Sequence, residues 1–259
     1  MFLSIYGKSF QVLMKKPLRL WGLSLLALFL ESAAMILCGV AIPILGIAVS
    51  LLITVSMTMI YLYGFRGEEV YSAQLFTCFR DFGVVKRVLA GMGWMLLWLF
   101  LWALIPIAGP IIAIVKAYSW RLTPYILVNE PDVAPTDAIK VSAERTKGYR
   151  GQMFLADFVV YIIVFLTQSI LLLLGQIPFI GHFFSTVSVL LGLVIAALLP
   201  LFTGLVQAAF YEEIENAHRN GTPAPGAPTF AQVSAAANAA AATLSGENGS
   251  DGQEPEQKQ

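Results

Sequence analysis

Long apolar stretches alternate with short polar segments along most of the chain. Six stretches reach the roughly 20 residues that a helix needs to cross a bilayer core of about 30 Å. They form three close pairs, and we predict spans near Leu20–Val40, Ile44–Tyr63, Leu89–Leu104, Pro110–Val128, Met153–Gly175 and Phe184–Phe210. The third is short, so we expect it to begin about one turn before Leu89. The pattern predicts an all-α fold, a polytopic membrane protein with six transmembrane helices.

Basic residues collect on alternate connections between these spans. The N-terminal segment, the connections after spans two and four, and the tail together hold every Lys and Arg except Lys116 and Arg121. The other three connections hold none. Because basic loops stay on the cytoplasmic side of a membrane, the distribution predicts a multi-pass membrane protein whose N-terminus and C-terminus are both cytoplasmic.

A short motif recurs at the three connections that lack charge. The sequence Ile-Pro-x-x-Gly occupies residues 42–46, 105–109 and 177–181. Proline cannot continue the incoming helix and suits the first turn of the next one, while glycine permits a tight turn. An amphipathic segment precedes each pair of spans and predicts a helix lying at the membrane interface. We therefore predict three repeated hairpins with interfacial amphipathic helices, within a domain of residues 1–215.

Composition excludes several classes of protein. The chain is 58% hydrophobic and 12% charged, whereas a soluble domain carries about 25% charged residues. Its 16 Lys and Arg are matched by 16 Asp and Glu, so it has no basic field for nucleic acid. Cys38 and Cys78 fall on opposite sides of the predicted topology and cannot pair. Residues 216–259, rich in Ala, Pro, Gly and acidic residues, predict a disordered cytoplasmic tail.

Four ionisable residues fall inside the predicted spans, where each costs at least about 2.5–3.5 kcal/mol at the bilayer centre. They are Glu31, Lys116, Arg121 and Asp157. One hypothesis is a polar site in which Arg121 binds an anion or carboxylate and Glu31 exchanges a proton. The other is that Glu31–Arg121 and Arg121–Asp157 are structural pairs that fix which helices pack together.

The segment from Ala117 to Phe154 carries a series of distinctive residues. It reads Ala117-Tyr118-Ser119, Pro124-Tyr125-Ile126-Leu127, Asn129-Glu130-Pro131, Asp137-Ala138-Ile139, Ser142, Lys147-Gly148 and Phe154, and Ala209-Phe210-Tyr211 follows later. This series resembles the bacterial integral-membrane family catalogued as domain of unknown function 975. The resemblance implies a multi-pass protein of the bacterial plasma membrane and implies no reaction.

The same resemblance directs attention to the loop Asp137–Arg150. Its basic residues are candidates for contact with a protein partner or with lipid headgroups, and the alternative is a solvated amphipathic helix. These candidates are Lys140, Arg145, Lys147 and Arg150.

Catalytic signatures are missing from the sequence. It has no nucleophile elbow, no phosphate-binding loop and no His-Glu-x-x-His pair, and its two histidines give no basis for a metal site. We predict a scaffold or accessory factor that is not an enzyme and has no cofactor, with the lipid bilayer as a partner and a membrane protein as a candidate partner. The alternative is a small transporter or channel using the four intramembrane charges. A dry, fully paired Arg121 favours the scaffold, and a water-filled cavity reaching Arg121 favours transport.

Overall fold

The computed structural model describes residues 2–15, 17–41 and 43–221, and no β-strand occurs in these ranges. The helices are α1 (Phe2–Lys15), α2 (Pro17–Ala41), α3 (Pro43–Arg66), α4 (Thr77–Arg80), α5 (Phe82–Ala103), α6 (Gly109–Ser119), α7 (Thr123–Asn129), α8 (Ala138–Arg145), α9 (Arg150–Leu174) and α10 (Gly181–Arg219), with a 3-10 helix at Ser72–Phe76. Six segments are long and apolar enough to cross a membrane. The predicted all-α class and the predicted number of spans are confirmed.

Two helix boundaries extend the predicted spans. Helix α5 begins at Phe82, earlier than Leu89 as expected, because the Asp81 carboxylate accepts a hydrogen bond of 2.9 Å from the backbone N–H of Gly83 and caps the helix. Helix α10 has 39 residues and is therefore about 58 Å long, more than a bilayer core needs. It passes the predicted domain boundary at residue 215, and residues 222–259 of the predicted tail lie outside the described residues.

The predicted fourth span is confirmed as a candidate membrane segment over Gly109–Asn129, but its helix is interrupted within the span. Helix α6 ends at Ser119 and α7 begins at Thr123. Pro124 explains the break, since proline has no N–H and its ring would collide with the carbonyl four residues earlier, that of Trp120. That carbonyl instead accepts a hydrogen bond of 3.0 Å from the N–H of Thr123.

Two hydroxyls from α8 and its C-terminal end satisfy the backbone groups that the break sets free. Ser142 Oγ donates to the Ser119 carbonyl at 3.0 Å and accepts from the Leu122 N–H at 3.1 Å. Thr146 Oγ1 lies 2.9 Å from the same Ser119 carbonyl. Both side chains are fully buried, so the face of α8 that carries Ser142 packs against the broken span.

Two of the three Ile-Pro-x-x-Gly motifs form the same turn. Their third residues have a positive φ, 64° at Ile107 and 70° at Phe179. In each, the N–H after that residue donates to the proline carbonyl, at 2.7 and 2.9 Å, and the motif's glycine N–H donates to its isoleucine carbonyl, at 3.0 and 2.8 Å. This is a γ-turn enclosed in an α-turn.

The two glycines that close these turns are sterically required. A Cβ on Gly109 would overlap the Trp102 carbonyl, and one on Gly181 would overlap the Gly175 carbonyl. The first motif differs, because α2 continues to Ala41 and α3 begins at Pro43. Its Ile42 lies outside the described residues, so the turn repeats twice in the described chain.

The buried core lies towards one end of the helices. We call this the basic end, because it carries Arg66, Arg87, Arg150 and Arg219. Here Arg66 pairs with Glu212, and the stacked rings of Tyr125 and Tyr211 lie 4.3 Å apart. By contrast, most of α9 after Asp157 and of α10 before Leu201 is at least partly exposed. The helices are therefore held together by protein contacts mainly at the basic end.

Helix α1 and the connection after α3 both contribute to this core. In α1, Ile5 and Ser9 are buried and the Tyr6 ring stacks on Phe202 at 5.6 Å, while Phe10 is exposed. After α3, Cys78 is buried, and this burial raises the pKa of its thiol. The side chain of Cys38 lies outside the described part of the chain, so the prediction about its pairing stays a prediction.

A close helix contact gives a test of the packing. A Cβ on Gly204 of α10 would overlap the Tyr61 ring of α3, whereas a Cβ on Gly93 of α5 meets nothing within 4 Å. Tyr61 is buried, so Gly204→Ala should lower the free energy of unfolding by about 1–3 kcal/mol. Gly93→Ala should leave it unchanged or raise it by up to about 1 kcal/mol. Unfolding of the purified proteins in mild detergent measures both, and equal stability of the two variants would contradict the packing.

Candidate functional site

Arg121 lies at the break in the fourth span and pairs with Asp157 of α9. Arg121 Nη1 binds Asp157 Oδ2, and Nη2 lies 3.2 Å from Oδ1. The Tyr118 hydroxyl donates to Asp157 Oδ2 at 2.9 Å, and the guanidinium lies 5.2 Å from the Tyr118 ring centroid. The Arg121 and Asp157 side chains are 15% and 10% exposed. The charge of Arg121 is therefore met by a carboxylate of the protein itself.

Glu31 belongs to a different part of the molecule. Its Oε1 lies 3.1 Å from Thr54 Oγ1, and none of the ion pairs among the described residues joins it to Arg121. The predicted Glu31–Arg121 pair is wrong, because α2 packs against α3 and α10 whereas Arg121 is positioned beside α9. Glu31 instead lines a cavity of about 250 Å³ with Ser24 and Tyr61.

Lys116 lies among aromatic rings. Its Nζ is 5.6 Å from the Trp102 ring centroid and 5.8 Å from that of Trp120, distances at which an ammonium group is attracted to a ring face. Of the four predicted intramembrane residues, the structure thus pairs only Arg121 with Asp157. The sequence suggested one polar site, but the structure places these residues in three environments. Arg121 and Asp157 form an ion pair, Glu31 lies beside Thr54, and Lys116 lies among aromatic rings.

A larger cavity of about 500 Å³ reaches Arg121. Its lining is mostly apolar, with Met95, Leu99 and others around Arg121 and Tyr118. Gln207 of α10 lines both this cavity and the one that holds Glu31. The two cavities therefore adjoin a common amide. The sequence does not single out Gln207, because it is uncharged and has no distinctive spacing.

The basic loop residues have unlike environments. Arg145 pairs with Glu130, at 2.6 and 2.9 Å, and with Glu215 at 3.4 Å. Burial lowers the pKa of its guanidinium, but the two carboxylates raise it more, so the pKa lies above its ordinary value. Lys140 is 76% exposed beside Asp137, and Lys147 is exposed.

Arg150 also makes contacts within the protein. Its Nη2 donates to the Ala143 carbonyl at 2.5 Å, and its Nε lies 3.4 Å from Thr146 Oγ1. The candidate contact for a protein partner is thereby narrowed to the two exposed lysines, Lys140 and Lys147. The proposed contact itself stays a prediction.

Arg87 is a structural residue that the sequence did not distinguish. Its guanidinium donates to carbonyls around the end of α7, at 2.8 Å to Leu127, 2.9 Å to Pro131 and 2.5 Å to Val133, and it also binds the Glu130 carbonyl. In the sequence it is one of several basic residues next to a span. Nothing in its spacing separates it from a residue that faces headgroups.

The described residues hold no group of three or more His, Cys, Asp or Glu side chains that is arranged to bind a metal ion. No protein-family model, no curated protein and no solved structure matches the chain. The resemblance at Ala117–Phe154 therefore stays a prediction, and the proposed function depends on the geometry of the site.

The pairing of Arg121 with Asp157 predicts a strong coupling between the two side chains. Arg121→Leu alone leaves a carboxylate in the membrane without its cation, and should lower the free energy of unfolding by about 3–5 kcal/mol. Arg121→Leu combined with Asp157→Leu should be less destabilising than either single change. Detergent unfolding of the four proteins gives the coupling energy.

The exposed pair Lys140–Asp137 provides the control. Its coupling energy should be at most about 1 kcal/mol, because water screens both charges. If the Arg121 and Asp157 substitutions are simply additive, the pair does not stabilise the protein.

Proposed function

We propose that this chain is a non-enzymatic scaffold or accessory factor of the bacterial plasma membrane. The observation that carries the proposal is the two-point pairing of Arg121 with Asp157. This arrangement neutralises the cation that would otherwise bind a substrate. Arg87 and Arg145 are bound in the same way to groups of the protein.

We further propose that the spans form three hairpins, with interfacial helices and both termini in the cytoplasm. The packing of α2 on α3, α5 on α6, and α9 on α10 supports the hairpins. The exposed Phe10 and Met14 of α1 support an interfacial helix. The basic residues of the connections at the basic end support the orientation.

A small transporter is the second candidate, favoured by the two cavities that both have Gln207 in their lining. A solute that moved between them would pass this amide, and Arg121 lines the larger of the two cavities. The larger cavity, of about 500 Å³, has the volume of a small-molecule site, whereas the one of about 250 Å³ is smaller than such sites usually are.

The scaffold proposal predicts a protein partner that contacts the exposed lysines. The tagged chain would be extracted from its native membrane with a polymer that keeps surrounding lipid, and the co-purifying proteins would be quantified by mass spectrometry. We expect one membrane protein in near-equal amount. The double substitution Lys140→Glu with Lys147→Glu should reduce its capture by more than about tenfold, because reversed charges repel an acidic partner.

The matched control is Arg80→Glu with Lys86→Glu, which reverses two exposed charges, one at the end of α4 and one near the start of α5. It should leave capture unchanged. Absence of a near-equimolar partner, or equal loss with both double variants, would count against the scaffold and against this contact.

The transporter candidate predicts flux that depends on Gln207. Vesicles containing the purified protein would be loaded with chloride, nitrate or acetate, and efflux would be compared with that of protein-free vesicles. Transport requires faster efflux that Gln207→Leu abolishes and that Gln176→Leu, at an exposed position near the turn at 177–181, leaves intact. Equal efflux with and without protein would reject this candidate for these anions.

A further inference from the structure

A groove lies between α6 and α9 on the exposed side of the fourth span. It has a volume of about 390 Å³, and its walls include Ile111, Ile114, Val115 and Phe154. Ile111 is 67% exposed and the other three are about half exposed, so this wall faces the surrounding membrane. Ile114, Tyr118 and Phe154 also line the cavity that reaches Arg121.

Arg150 lies at the basic end of this groove and is the first residue of α9. Its contacts with the Ala143 carbonyl and Thr146 Oγ1 hold the guanidinium at the junction of α8 and α9. None of the ion pairs among the described residues includes Arg150. The groove therefore has an apolar wall that Arg150 lines through apolar atoms, and the guanidinium is held beside this end, at the junction of α8 and α9.

The charge at this position favours an anion. The first turn of a helix carries a partial positive charge and is stabilised by negative groups. In α9 this turn contains no acidic residue and begins with an arginine. A negative group beside Arg150 would offset both the guanidinium and the partial charge of the helix.

An anionic phospholipid has a negatively charged phosphate at one end and apolar acyl chains at the other. This order matches a groove that has Arg150 at its basic end and an apolar wall along its length. The phosphate belongs at the membrane surface, where the basic end lies, and the acyl chains extend towards the bilayer centre. We propose that the α6–α9 groove binds one acyl chain of an anionic phospholipid whose phosphate pairs with Arg150. The inference goes beyond the proposed function, because either a scaffold or a transporter can carry such a site.

Gly151 offers a way to fill the groove without disturbing the protein. It lines the groove, and a Cβ added to it meets nothing within 4 Å. A leucine at this position would project into the space that an acyl chain needs. Gly22 of α2 is an equally open helical glycine away from the groove, so Gly22→Leu is its matched control.

Native mass spectrometry of the delipidated full-length protein tests the site. Phosphatidylglycerol and phosphatidylcholine with identical oleoyl chains would be supplied in equal amounts, so that only the headgroup differs. Both lipids carry a phosphate, but the choline cation of phosphatidylcholine opposes the positive charge of Arg150. The unchanged protein should therefore bind phosphatidylglycerol in preference, by roughly tenfold. Arg150→Gln should lose this preference, and Arg150→Lys should keep much of it.

Three further variants and one competitor distinguish this site from diffuse surface charge and from a site for a free anion. Gly151→Leu should reduce binding of both lipids while Gly22→Leu does not, and Lys147→Gln should leave the preference intact. If Lys147→Gln matches Arg150→Gln, diffuse surface charge is responsible and the proposal fails. It also fails if the unchanged protein shows no preference, or if Gly151→Leu binds both lipids normally. Inorganic phosphate that displaces phosphatidylglycerol would mean that a free anion, not a lipid, is bound.

Discussion

A proline inside the fourth span determines much of the structure around it. Pro124 cannot continue the helix that begins at Gly109, and a broken helix exposes backbone polar groups that the hydrocarbon cannot satisfy. Ser142 and Thr146 supply the missing hydrogen bonds from α8 and its C-terminal end. The loop after the fourth span must therefore fold back into the protein, since the broken span depends on it.

The break also explains why the charges lie where they do. It leaves Arg121 on a short non-helical segment beside α9, where Asp157 meets both of its terminal nitrogens. Arg87 holds the far end of α7 to α5, and Arg145 joins the loop and α8 to α10 through Glu130 and Glu215. These cations connect neighbouring helices, so the basic end is cross-linked by charge as well as packed by apolar side chains.

The sequence predicts the large-scale architecture because hydrophobic length and charge distribution act over many residues. The six spans follow from those signals. The helix of the third span begins seven residues before Leu89, farther than the one turn expected, because Asp81 caps it at Phe82. The partner of Arg121 was open to two possibilities, since span number and depth do not determine which helices are neighbours. Arg87, Ser142 and Gln207 have roles that depend on the fold, and only Pro124 carried a local signal that predicts the break.

The two ends of the molecule differ in what stabilises them. At the basic end, side chains from several helices pack closely, whereas the outer parts of α9 and α10 expose residues such as Phe165 and Leu193. The length and apolar composition of these two helices suit them to cross a membrane. The strained turns at Ile107 and Phe179 form at the end opposite the basic end, held by local backbone hydrogen bonds. The polar groups that can recognise a partner or a headgroup by charge are instead concentrated at the basic end, within reach of the packed core that positions them.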